Sequence, residues 1–267
     1  MRRLADTFAQ DLEHQVAEVA SRDASTAKPS TPHRTVIHEL LQGDLPPQEK
    51  TVERISEEAM LLVTAGSSTT SHFLKTTMFF ILADPAILAR LKAEVASAMP
   101  DPAVLPPSHE LAHLPYLTAV IKEGSRMTHG VSSRLARIAP NDDLHFGGFT
   151  IPAGTTIGMS HPLQHNNPAV FPEPDRFDPE RWLKGKESQQ LERYLVNFSR
   201  GARACVGINL AKAEMILTLA AVVRRLDLRL YETERERDVD LRHDFVIPFA
   251  SVDGKGVRVV ARRNRRI

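Results

Sequence analysis

Cys205 is the only cysteine among the 267 residues, so no internal disulfide can form. A lone cysteine is either a small buried apolar side chain or a working thiolate. Here the neighbours favour the thiolate. The segment Phe198-Ser199-Arg200-Gly201-Ala202-Arg203-Ala204-Cys205-Val206-Gly207 is a glycine-containing loop, and a long helical pattern begins directly after it. A thiolate is a strong ligand for a soft metal. The free N–H groups and positive end of the following helix would stabilise the sulfur's negative charge. Gly201 and Gly207 let the backbone approach a flat cofactor closely. Phe198 can pack beside the sulfur and exclude water, and Arg203 can pair with an acidic group of the cofactor.

Two other groups of residues could do chemistry. Glu123 and Arg126 are three apart, which puts both on one helix face where they can pair. Alone this is a weak signal, because most such pairs are solvated and contribute little. The run Ala65-Gly66-Ser67-Ser68-Thr69-Thr70 places small and hydroxyl side chains inside a long apolar stretch. Such residues compete for backbone hydrogen bonds, so a polar kink without catalytic work is the plain alternative.

The spacing F-x-x-G-x-R-x-C-x-G resembles the cysteine-ligand loop of the cytochrome P450 family, with every fixed position present at Phe198, Gly201, Arg203, Cys205 and Gly207. The resemblance implies a haem b cofactor with Cys205 as axial ligand to the iron. Glu123 and Arg126 then match the family's E-x-x-R. The segment Phe177-Asp178-Pro179-Glu180-Arg181-Trp182 resembles its F-x-P-E-R-W. Glu123, Arg126 and Arg181 would form the structural triad that holds the haem-side core. Arg137 resembles the arginine that reaches a haem propionate, with Arg134 its near competitor. His165, ahead of Phe171–Pro174, is read as structural, since Cys205 fills the ligand role. Residues 65–70 resemble the oxygen-activation segment of the central helix. Thr69 matches its threonine, and Ser68 stands where the family usually has an acid. Proton delivery would then depend more on ordered water, which leaves room for an unusual oxidation.

The implied reaction inserts one oxygen atom of O2 into a lipophilic small molecule. NADPH-cytochrome P450 reductase is the implied electron donor. Electron donation from a thiolate ligand favours O–O cleavage, and the cofactor carries the hard chemistry.

These residues need positioning elements. Residues 2–20 show Leu4, Phe8, Leu12 and Val16 at helical spacing. Ser21–His33 is polar and proline-containing, which predicts a loop. Residues 34–41 predict a short helix ended by Gly43 and Pro46-Pro47. Thr51–Ala83 predicts one helix of about 30 residues, roughly 45 Å long. Asp84-Pro85 caps the next helix, to about Met99. A helix over Pro115–Thr128 carries Glu123 and Arg126. Phe146, Phe149, Ile151 and Ile157 between glycine turns predict hairpins. Residues 166–182 predict a meander, and 208–225 a helix. Short strands are expected at 228–231, 246–251 and 257–261, the last two joined by the Asp253-Gly254 turn. The expected class is α+β, mainly helical.

Bulk properties exclude several functions. A net charge of +1 gives no electrostatic case for nucleic acid. The best membrane candidate, Ala59–Ala65, falls far short of the ~20 residues a span requires. The N-terminus carries Asp6, Asp11 and Glu13 and is not a signal peptide. It reads as a helix entered abruptly, as if the chain began partway through a domain.

The resemblance covers almost the whole chain but only the C-terminal portion of the family fold, as one partial domain over 1–267. The family's N-terminal portion and membrane anchor are absent from this reading. Val63, Ser67, Val131, Ser132 and Val246–Ala250 remain as substrate contacts. They are apolar or small, which suits a terpenoid or polyketide. The forms F-x-P-E-R-W and His129–Arg134 look most like fungal secondary-metabolism members, which work at the endoplasmic reticulum surface. The alternatives are a truncated, non-catalytic remnant and a haem-binding partner of a full-length enzyme.

Overall fold

A computed structural model describes residues 2–23 and 35–263. The chain divides into two compact units, Met1–Ser67 and Ser68–Ile267. The first holds α1 (Arg2–Asp23), α2 (Val36–Gln42), a 3-10 turn (Pro47–Lys50) and the opening half of α3 (Val52–Ala83). Val16, Ile55 and Ala59 are buried. The expected loop after α1 and the side chains of Leu4, Phe8 and Leu12 lie outside the described residues. Thr35 opens α2 with a capping box, its hydroxyl accepting from the His38 N–H at 3.3 Å. α3 runs unbroken through Ala65–Ser71.

The second unit contains the rest of α3 and then α4 (Pro85–Ala98), α5 (Ser108–Leu111), α6 (Pro115–Thr128), β1 (Leu135–Ile138), β2 (Leu144–Phe146), β3 (Phe149–Ile151), β4 (Thr156–Met159), α7 (His161–His165), α8 (Lys186–Leu191), α9 (Ile208–Arg225), β5 (Leu226–Leu230), α10 (Arg235–Asp238), β6 (His243–Phe245), β7 (Ile247–Phe249) and β8 (Val259–Arg263). The class is α+β, mainly helical. Asp84 caps α4 by accepting from the Ala86 and Ile87 N–H groups at 2.9 and 3.3 Å. α6 has no cap of its own, but Glu94 on α4 accepts from the Tyr116 and Leu117 N–H groups at 2.9 and 2.7 Å. That carboxylate satisfies donors a helix start otherwise leaves open. The core packs Phe73 and Ile81 of α3, Leu91 and Val95 of α4, Leu117 and Val120 of α6, and Leu219 and Val223 of α9.

All strands pair antiparallel in twos. β2 and β3 form a hairpin turned by Gly147 and Gly148, both at positive φ, inside the wider β1–β4 pair. The expected Asp253-Gly254 hairpin does not form. β7 pairs with β6, and β8 crosses to β5. The turn itself exists, with the Gly254 N–H donating to Ser251 O at 3.0 Å. Beyond it the Lys255 N–H donates to the buried Asp238 carboxylate at 2.9 Å, which leads the chain away from β7. Pro248, inside β7, has no N–H for a second partner.

Phe245 pairs with Ile247, leaving Val246 alone at the tip of β6–β7 with φ at +73°. A β-branched residue in the left-handed region is strained by about 1–2 kcal/mol. Glycine removes that strain and adds chain entropy to the unfolded state. Val246→Gly is expected to raise stability by about 0.5–1 kcal/mol. Thermal melting checks it, and an unchanged or lower midpoint would refute it.

Candidate functional site

Cys205 lies in the loop between α8 and α9, after two 3-10 turns at Glu192–Tyr194 and Gly201–Arg203, and it is exposed. Its N–H donates to Phe198 O at 2.8 Å. Phe198 is half-buried against the helical core, which fixes that end of the loop. Gly207 caps α9 without a side-chain bond, so the first-turn N–H groups are left for the sulfur end of the loop. A Cβ on Gly207 would sit 3.9 Å from Cys205 Sγ. Gly201 is at φ +71°, and nothing lies within 4 Å of where its Cβ would be. Arg203 is exposed. Arg137 on β1 reaches the loop, donating to Ser199 Oγ at 3.2 Å, whereas Arg134, just before β1, is exposed.

Behind the loop lies a fully buried charge cluster. Glu123 accepts from Arg126 Nε and Nη2 at 3.0 and 2.8 Å and from Arg181 Nε at 3.0 Å. The sequence reading named these three. It missed two further donors to Glu123: the Asp178 backbone N–H and Trp182 Nε1, both at 2.9 Å. The signal for Trp182 was its place next to Arg181. The guanidiniums spend their remaining donors on backbone carbonyls of the meander, so the cluster knots α6 to residues 165–182.

Ser68 and Thr69 are half-buried on α3 within the second unit. The next residue, Thr70, is buried and donates to Glu214 Oε2 of α9 at 3.2 Å. That bond ties the hydroxyl-rich turn to the helix that follows Cys205. The sequence reading did not single out Glu214, although an acid inside the apolar face of 208–225 is a visible signal. Ser132 is also buried. Its N–H donates to Val246 O at 2.9 Å, and its hydroxyl and that of Ser133 donate to Asp244, which pins the turn after α6 to the β6–β7 hairpin. Val63 and Ser67 belong to the first unit and are exposed.

Three histidines line the back of the cluster. His165 stacks on His129 with ring centroids 5.7 Å apart, and His161 lies 6.2 Å from His165. Burial, then Arg126 and the His72 and His161 imidazoles, push His129 down to about 3. Burial, then His129, His161 and Arg126, push His165 down to about 2. The unfolded chain takes up these protons near 6.5, and the folded chain does not. Below that pH the unfolded state binds more protons, so stability falls as pH falls. Unfolding free energies from urea titrations at about pH 7.5 and 5.5 should differ by roughly 1 kcal/mol for each of the two rings. Equal values would contradict neutral buried imidazoles.

The fold is mainly helical, with an exposed thiol at the head of α9 and a buried Glu–Arg–Arg cluster, the arrangement that the resemblance to the cytochrome P450 family implies. Comparison agrees: the family model described as Cytochrome P450 matches residues 1–252. The chain belongs to the cytochrome P450 family. It is 42% identical over 258 residues to "Cytochrome P450 monooxygenase MO6277" of Ascocoryne sarcoides, covering 93% of this chain and 50% of that protein. It is 43% identical over 249 residues to "N-acetyltryptophan 6-hydroxylase ivoC" of Emericella nidulans, covering 92% and 48%. A solved cytochrome P450DA heme domain superposes with a TM-score of 0.73 at 23% identity, over 95% of this chain and 53% of that one. That likeness supports the fold. The chain spans about half the length of the curated relatives it matches.

The family implies haem, and the residues present fit it. Beside the exposed thiol, Val206 is 92% and Leu210 64% exposed. Large apolar side chains so open call for a cover, and a flat macrocycle on a sulfur ligand would supply one. Gly201 leaves open space at the same loop, and Arg137 and Arg203 place two cations there.

Proposed function

We propose that the chain carries the haem-thiolate centre of a monooxygenase that inserts one oxygen atom of O2 into a lipophilic small molecule. The exposed Cys205 sulfur at the head of α9 carries this reading. When bound, the haem supplies oxygen binding and O–O cleavage. The residues of this chain do the rest. Cys205 ligates, Phe198, Gly201 and Gly207 seat the macrocycle, and Arg203 and Arg137 hold its carboxylates. Glu123, Arg126 and Arg181 keep the loop's support rigid. The Thr69 hydroxyl holds and passes a proton on the oxygen side, and Ser68 relays through water because it has no carboxyl to supply one.

Thr69→Ala is expected to lower product formation about a hundredfold, the usual scale for a lost proton-transfer group. Thr69→Ser should restore most of it. Product yield per NADPH consumed checks this, and equal yields in all three would remove Thr69 from proton delivery.

NADPH-cytochrome P450 reductase is the electron donor in this reading, and the endoplasmic reticulum surface the place of work. No single helix among the described residues is long and apolar enough to cross a membrane. The substrate is a secondary metabolite of terpenoid or polyketide type, matched to the small and apolar contacts Val131, Ser132 and 246–250. The name of the Emericella nidulans relative, an N-acetyltryptophan 6-hydroxylase, favours a second reading, an indole-bearing amino-acid derivative.

The deciding experiment supplies reductase, NADPH and isotope-labelled dioxygen with a panel of both substrate types. One labelled oxygen in product supports the proposal. Bound haem with no labelled product from either panel would favour a haem-binding partner or non-catalytic chain.

A further inference from the structure

We propose that His165 is a positioning residue that anchors the root of the Cys205 loop to the Glu123 cluster. The inference rests on the reading of Cys205 as the haem ligand. His165 is fully buried and bonded on two sides. Its carbonyl accepts from Arg126 Nη1 at 3.0 Å, and its ring Nε2 accepts from the Val196 N–H at 3.0 Å. The ring sits edge-on to Phe171 and is stacked by His129, which holds Nε2 toward the Val196 N–H.

Val196 begins the segment that reaches the sulfur. Val196 O accepts from the Ser199 N–H, and Phe198 O accepts from the Cys205 N–H, both at 2.8 Å. The same root is pressed from the other side by Gly130, where a Cβ would fall 2.4 Å from Asn197 O. Between root and sulfur, Ser199 and Gly201 hold positive φ. A loop in such conformations stays in place only when its surroundings determine it. The hydrogen-bonded path therefore runs from Glu123 through Arg126 and His165 to Val196, and from Phe198 to Cys205. A neutral imidazole is required, because a protonated Nε2 would meet the Val196 N–H donor to donor.

Side-chain reach gives a clean test. Gln can place an acceptor where Nε2 stood, Asn reaches only the Nδ1 position, and Leu removes the acceptor. The purified full chain is first studied without haem, by hydrogen–deuterium exchange at the Val196 amide, with circular dichroism to confirm folding. His165→Gln is expected to keep wild-type protection, and His165→Asn and His165→Leu to exchange at least tenfold faster. After haem loading, the carbon monoxide complex of the reduced Gln variant should keep the wild-type Soret position, and that of the Asn variant should lose the red-shifted fraction. If the Leu variant does not fold, the Gln and Asn pair decides. Equal protection in Gln and Asn variants, or equal Soret positions in both, would overturn the proposal. A wild-type chain without the red shift would instead sink the haem-thiolate reading, and the exchange result would still judge the anchor.

Discussion

Glu123→Ala is expected to destabilise the chain by about 3–5 kcal/mol, because it leaves two buried guanidiniums without their shared carboxylate. Glu123 accepts hydrogen bonds from Arg126, Arg181, Trp182 and the Asp178 backbone, and both it and Arg126 are completely buried. The cost comes from charge left unpaired in a low-dielectric interior. The intact cluster contributes far less net stability than its removal would suggest, since burying its members was itself costly. A chain of this size loses roughly 2–4 °C of melting temperature per kcal/mol, so a fall on the order of 10 °C is expected. Glu123→Gln keeps the shape and should fall less. Melting points of both variants within a degree or two of wild type would contradict the cluster's role.

The sequence made the helices legible where each carried its own boundary signals. α4 has Asp84 and Pro85, and α6 has Pro115 at its start, so both ranges read directly. The long α3 was legible because no proline interrupts its apolar stretch. The sheet was harder. Strand partners depend on contacts distant in sequence, and the Asp253-Gly254 turn suggested a neighbour that Asp238 in fact diverts. Nor could periodicity show Glu94 capping a helix more than twenty residues away. At the site, the loop residues and the three charges were readable because fixed spacings carry them. The supporting groups, Trp182, Glu214 and the ring of His165, are joined only by folding. A lone Glu or His gives no local clue to its partner.

On the proposed haem-thiolate reading, Cys205→Ser carries the largest expected effect, loss of the sulfur ligand and with it of turnover. A serine oxygen keeps the size of the side chain and its loop but is not the soft, charge-donating ligand that favours O–O cleavage. Cys205 is the only cysteine in the chain, so no other thiol can substitute for it. The most direct measurement is the absorption spectrum of the haem-loaded, reduced chain under carbon monoxide. Wild type should show the strongly red-shifted Soret band of a thiolate-ligated carbonyl haem, and Cys205→Ser should lose it. A wild-type chain that binds haem without that band, or a serine variant that retains it, would contradict the account.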